Sequence, residues 1–214
     1  KIRARIQSFA EYSIENVWVP AVYAEIGKVN EAFQLMDEYE KIYQPPFDFQ
    51  ILMGKLALYG TLEDVKNTEK YFNELIQKAG EVGGEIILDV VIAENALDAE
   101  LEILKKDYDK AIDILNANKN KDWDKMQTLL SKAYRLKGDL DKSKEIIEKM
   151  CDDGDYCSKD AQYEAALVYY DLGQHDKARE YLNGFLDHYK HADATYKPVV
   201  DARETLRKWD AAGN

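Results

Sequence analysis

Two segments in the C-terminal half of the chain share one residue pattern, and this repetition constrains the fold more than any other feature. The first segment surrounds Gly138 and the second surrounds Gly173. Each has a tyrosine four residues before the glycine and an Asp-Lys pair beginning three residues after it. The offset is 173 − 138 = 35 residues, and a fixed period of this length predicts repeated units of helix, turn and helix.

Further copies of the pattern lie upstream. One covers residues 103–112, at an offset of 143 − 111 = 32 from the copy around Gly138 when small residues are aligned, and another covers residues 22–33. The interval between them has room for one more copy, which residues 47–78 fill, with its turn predicted at residues 58–62. The chain therefore holds about five repeats.

The repeats have small residues where two helices are expected to touch. Antiparallel helices approach closely only where side chains are small, and a glycine ends the first helix because a left-handed backbone costs it little. The chain has 4 prolines and 11 glycines among 214 residues, few for an all-β protein, so we predict an all-α fold. The small residues of the three best copies are Ala99, Ala111, Ser131, Ser143, Ala166 and Ala178.

Together these features resemble the tetratricopeptide repeat (TPR), and the resemblance covers most of the chain. It implies helix–turn–helix repeats stacked in a right-handed solenoid, with about five repeats and a C-terminal capping helix. The tryptophan that the family has early in the first helix is replaced by Gln127 and Gln162, and its closing proline is absent. Pro20 stands at a small-residue position, so we expect it to kink or shorten the first helix.

We predict a single domain over residues 1–214. Repeats are irregular over residues 1–84, where three glycines at 80, 83 and 84 mark a break before a helix starting near Glu85, and regular over residues 85–190. A capping helix is predicted over residues 195–210, because its apolar residues recur at helical spacing. These residues are Val199, Ala202, Leu206 and Trp209.

The resemblance also implies a partner-binding groove, because the second, fifth, ninth and twelfth positions of such repeats line a concave face. Three cations and two tyrosines in that set suit an extended peptide with an acidic side chain or a C-terminal carboxylate. The alternative interpretation of these positions is a solvated helix face. Exchanging Lys132 and Arg135 for glutamate is expected to abolish binding of an acidic peptide and to leave helicity intact. The predicted groove residues are Lys125, Thr128, Lys132, Arg135, Tyr163, Leu167 and Tyr170.

The sequence contains no pattern typical of a catalytic centre, a bound cofactor or a metal site. The glycines at 80 to 84 are not followed by the Lys-Ser/Thr of a phosphate loop, and no nucleophile elbow is present. His188 and His191 are three residues apart, but no HExxH pattern accompanies them, and His175 is expected in a turn. We therefore predict no catalytic residue, no cofactor, no metal and no enzyme activity.

Charge and cysteines limit the partners and the compartment. The net charge of −12 argues against direct binding of nucleic acid, and no apolar run is long enough for membrane insertion. Cys151 and Cys157 are interpreted as free thiols near a helix end or as a disulfide, which would indicate an oxidising compartment such as the periplasm. Otherwise the cytoplasm is favoured.

The predicted function is a non-catalytic scaffold that binds a peptide or a helix of a partner protein, with self-association as a further option. The alternative is the regulatory or sensor region of a larger signalling enzyme or transcription regulator, whose other domain lies outside this chain. The alternative arises because the C-terminal repeats resemble repeat regions of bacterial multidomain signalling proteins, and because the chain begins with Lys1.

Overall fold

The computed structural model describes residues 18–42, 49–81, 96–118, 122–151, 157–192 and 195–212, which form helices and the turns between them. The described helices are α1 Val19–Glu25, α2 Val29–Ile42, α3 Phe49–Thr61, α4 Val65–Glu81, α5 Leu97–Leu104, α6 Tyr108–Ala117, α7 Asp124–Lys137, α8 Leu140–Cys151, α9 Lys159–Asp171, α10 His175–His188 and α11 Lys197–Ala212. The predicted helix start near Glu85 lies outside the described residues.

Neighbouring helices pack in pairs, and the chain divides into two compact units. The first unit, residues 1–88, contains the hairpins α1/α2 and α3/α4. The second unit, residues 89–214, contains the hairpins α5/α6, α7/α8 and α9/α10, followed by α11. This confirms the predicted all-α, TPR-like helical repeat. The organisation as one domain stays a prediction.

The five hairpins within the described residues turn in the same way, on one residue with a left-handed backbone. The N–H of that residue donates to the carbonyl three residues earlier, and the next N–H donates to the carbonyl five residues earlier, at 2.8–3.0 Å. These two hydrogen bonds pair carbonyls that the end of a helix otherwise leaves without a partner. The predicted helix ends at Gly138 and Gly173 are confirmed. The left-handed residues are Gly27, Glu63, Lys106, Gly138 and Gly173.

The turn predicted at residues 58–62 is wrong by a few positions. Helix α3 continues to Thr61, and Glu63 takes the left-handed conformation in place of a glycine. Leu58 is fully buried, so this part of the helix is held by packing. The next helix begins directly after this turn, where the Asp64 carboxylate accepts the backbone N–H of Asn67 at 3.1 Å and caps α4.

The small residues lie at the helix contacts where the repeat predicts them. In the second unit they stand seven residues before and five residues after each left-handed turn residue, and all six are 0% exposed. Ser131 and Ser143 also share a hydrogen bond of 2.8 Å between their hydroxyls, which satisfies both polar groups inside the contact. Pro20 lies in the first turn of α1, where a proline is tolerated, and α1 is only 7 residues long.

The predicted C-terminal helix is α11, and its apolar stripe packs into the core of the second unit. Val199 and Ala202 are fully buried there, and Trp209 is 6% exposed. They join a cluster that includes Tyr169 and Phe185 from the last hairpin. None of the described helices is both long and apolar enough to cross a bilayer.

Candidate functional site

The first helices of the hairpins in the second unit leave one side exposed to solvent. On α7 this side carries Lys125, Lys132 and Leu136, which share a helix face through their spacing of seven and four residues. The opposite side is buried against the preceding hairpin. We call the exposed side the first-helix face, and its residues are Glu100 of α5, Lys125, Lys132 and Leu136 of α7, and Asp160, Leu167 and Asp171 of α9.

Lys125 and Thr128 hold the start of α7 on this face. The Nζ atom of Lys125 lies 3.0 Å from Oε1 of Glu100, so an ion pair joins α7 to α5. The Thr128 hydroxyl donates to the Asp124 carbonyl of its own helix at 2.7 Å. Both predicted groove residues therefore have partners within the chain.

Lys132 is the predicted groove cation that remains available. Its side chain is exposed, and it forms no ion pair with any of the residues that the structure describes. It lies close enough to α9 for its charge to favour the ionised form of Glu164. A free ammonium group at the middle of the first-helix face is suited to an acidic group from outside.

Arg135 is bound by two acids of the next repeat. Its Nε and Nη2 atoms donate to the two carboxylate oxygens of Glu164, at 2.6 and 3.2 Å. Its Nη1 atom lies 3.5 Å from Oδ2 of Asp171. The Arg135 and Glu164 side chains are only 12% and 6% exposed, so this fork is a buried link between α7 and α9.

Burial and charge act in opposite directions on this ion pair. Burial lowers the pKa of Arg135, but the attraction of Glu164 and Asp171 outweighs it and leaves the pKa raised. Burial raises the pKa of the Glu164 carboxyl, and Arg135 opposes this effect without cancelling it. Arg135 therefore stays charged. The unfavourable effect of burial is seen instead in the raised pKa of Glu164.

The two predicted tyrosines contact α11. The ring of Tyr170 stacks on Trp209 with the ring centroids 4.3 Å apart and the planes 5° from parallel. The Tyr163 hydroxyl lies 3.4 Å from the Thr205 hydroxyl, and its ring packs against Phe185. Leu167 is partly buried against the same core. Helix α11 thus covers much of the surface that Tyr163 and Tyr170 would offer to a peptide.

The predicted groove residues fall into two groups that differ in their contacts. The second and ninth positions of α7, Lys125 and Lys132, point to the exposed side. The fifth and twelfth positions of α9, and Arg135 at the twelfth position of α7, contact the next first helix. Sequence reasoning missed Glu164, Asp171 and Leu136. An available signal was the pair of acids seven residues apart on α9, beside a repeat that carries cations.

A disulfide joins Cys151, the last residue of α8, to Cys157, just before α9. It lies between the two hairpins whose first helices carry Lys132 and Asp171. Of the two interpretations left open by the sequence, the structure has the disulfide; the compartment that this indicates is still an expectation.

Histidines and acids do not gather into a metal site in the described part of the chain. No group of three or more His, Cys, Asp or Glu side chains there is arranged to hold a metal ion. His175 packs edge-on against Tyr170, with the ring centroids 4.8 Å apart.

The comparison with known proteins concerns the last hairpin. Residues 160–192, which cover most of α9 and α10, match the model of the tetratricopeptide repeat family. No curated protein and no solved structure is significantly similar to this chain. The regular hairpins and the matched segment together identify a TPR-type helical repeat, a fold that generally serves protein–protein interaction.

Proposed function

We propose that this chain is a non-catalytic interaction module that binds an acidic, extended segment of a partner protein on the first-helix face of its second unit. TPR-type folds generally bind proteins and are generally non-catalytic, which supports the broad assignment. The single observation that carries the finer one is Lys132, an exposed cation without an ion-pair partner among the described residues.

The surroundings of Lys132 favour a peptide over a large rigid surface. Leu136 lies one helical turn further along α7 and is 39% exposed, and Leu167 lies on α9 at the same level of its repeat as Lys132. An extended peptide can place an acidic side chain at Lys132 and an apolar side chain on these leucines. Such pairing of charge and apolar contact is common where peptides are bound in grooves.

The experiment begins with a selection that does not presuppose the partner. A phage library of random dodecapeptides is selected on the complete 214-residue chain, and the dominant peptide is synthesised with a fluorescent label. We expect enriched peptides to carry more Asp and Glu than the library. Selection without such enrichment would contradict the proposed acidic partner.

Lys132→Glu then locates the site. Affinity for the labelled peptide is expected to fall about tenfold or more, because charge reversal replaces attraction by repulsion at the contact. Lys149→Glu is the matched control: Lys149 is exposed on α8, away from the first-helix face, and its exchange alters the net charge equally. Equal losses in both variants would show a long-range effect of charge and overturn the site.

Arg135 is left unchanged in this experiment. The double exchange to glutamate considered from the sequence would place a third acid beside Glu164 and Asp171 in a largely buried position. Loss of binding would then report loss of packing between α7 and α9. Lys132→Glu alone, with its melting temperature checked by circular dichroism, separates binding from folding.

A further inference from the structure

Two carboxylates contact Arg135, although one would balance the charge of its guanidinium group. The buried carboxylate of Glu164 occupies two of its nitrogen atoms in a forked arrangement, at 2.6 and 3.2 Å. A single bidentate carboxylate already satisfies the charge of a guanidinium group. Asp171 is a second acid on the same group, and it takes the remaining outer nitrogen, Nη1, at 3.5 Å.

Asp171 is placed where the helix itself disfavours an acid. It is the last residue of α9, and the last turn of α9 carries no basic residue. Negative charge at a helix C-terminus is unfavourable because the helix dipole is negative there. Helix stability therefore does not explain Asp171, whereas the contact with Arg135 does.

The contact of Asp171 with Arg135 is open to exchange. The Asp171 side chain is 43% exposed, in contrast to 6% for Glu164, so the Nη1 side of Arg135 faces the surface where Asp171 sits. Ion pairs that involve an exposed partner contribute little to stability. A carboxylate that arrives from outside can replace Asp171 at modest cost, while Glu164 continues to hold the arginine in place.

We propose that Asp171 is a built-in competitor that occupies, at the Nη1 atom of Arg135, the position of a partner's carboxylate. This inference rests on the proposed function and concerns the regulation of the same face. Lys132 attracts the acidic segment, and the segment must displace Asp171 to reach Arg135. Removal of the Asp171 charge therefore strengthens binding.

The test is Asp171→Asn, measured by fluorescence anisotropy with the labelled peptide selected on the wild-type chain. Affinity is expected to rise about threefold to fivefold, the range that corresponds to loss of a weak competing ion pair. Asp113→Asn is the matched control, because Asp113 is an exposed acid of α6, outside the first-helix face, for which the structure has no Arg135 contact. Its effect is expected to stay below about twofold.

The same measurement in an Arg135→Lys variant tests whether the effect of Asp171→Asn depends on Arg135. Arg135→Lys keeps a cation for Glu164 and loses the outer nitrogen, so Asp171→Asn should give no gain there. Equal gains from Asp171→Asn and Asp113→Asn, no gain from Asp171→Asn, or an undiminished gain in the Arg135→Lys variant would each overturn the proposal. If Lys132→Glu also leaves binding unchanged, the proposed function fails as well; if it abolishes binding, only the competitor is rejected.

Discussion

Two successive junctions in the second unit, from α7 to α9 and from α9 to α11, use corresponding positions with different chemistry. From α7 to α9 the twelfth position of the repeat is Arg135, bound by Glu164 and Asp171. From α9 to α11 the twelfth position is Tyr170, which stacks on Trp209. One junction is ionic and partly open to solvent, and the other is aromatic and closed.

The difference shows what each junction is suited to do. Aromatic stacking on a buried tryptophan excludes water and fixes the last helix, because a large apolar area is removed from solvent. The ionic junction keeps a hydrogen-bonding fork whose outer nitrogen faces an exposed acid. It can exchange that acid, whereas the stacked rings of Tyr170 and Trp209 offer no charged group that a polar ligand would replace. The comparison therefore supports the proposed binding at α7 and a closing role for α11.

The largest expected effect comes from the aromatic junction. Trp209→Ala removes the ring that stacks on Tyr170 and leaves a cavity in the core, so we expect the free energy of unfolding to fall by about 4 kcal/mol. Urea denaturation followed by circular dichroism measures it. Trp123→Ala is the control, because Trp123 is 53% exposed, and its cost should stay within about 0.5 kcal/mol. Similar losses in both variants would show that the α9/α11 junction does not depend on the stack.

The ionic junction should respond to loss of its arginine by a smaller amount. Arg135→Ala leaves Glu164 buried without its cation, and we expect a loss of about 3 kcal/mol at neutral pH. Arg179→Ala is a matched control that breaks the more exposed ion pair between Arg179 of α10 and Asp210 of α11. Its cost is expected to be about 1 kcal/mol or less. If the two arginines cost the same, the junction at Arg135 behaves as an ordinary surface pair.

The smallest effect is a dependence of stability on pH that the ionic junction contributes through Glu164. Because burial raises the pKa of Glu164 above its ordinary value, the folded state retains this proton to higher pH than the unfolded state. The resulting stabilisation is complete below the ordinary pKa of glutamate and is lost as pH rises through the raised pKa. The slope of unfolding free energy with pH contributed by this one group is at most about 1.4 kcal/mol per pH unit.

Glu164→Gln tests this dependence, because glutamine does not titrate. Denaturation of both proteins at several pH values between 4.5 and 7 is expected to show that wild-type stability falls, relative to the variant, as pH rises. Trp209→Ala should run parallel to the wild type over the same range. A constant difference between wild type and Glu164→Gln would mean that Glu164 has the same pKa in the folded and unfolded states.

Much of the fold follows from local rules that can be recognised in the sequence. The turns at Gly138 and Gly173 and the buried Ala166 and Ala178 are confirmed, because a left-handed turn and a close helix contact each demand a particular kind of residue. The turn after α3 was misplaced because Glu63 adopts the left-handed conformation without being a glycine. At that position the packing of the helices overrides the local preference.

The candidate site was less predictable, because the surroundings of a side chain depend on the neighbouring helix. The repeat positions of Lys132 and Arg135 are fixed by the sequence, and both look like groove cations. The tertiary structure brings Glu164 and Asp171 to Arg135 and leaves Lys132 exposed, and it brings Trp209 to Tyr170. The sequence by itself determined the hairpins, because their turns and contacts are local. Only the tertiary structure decided which cation stays available, because burial and pairing depend on residues about thirty positions away.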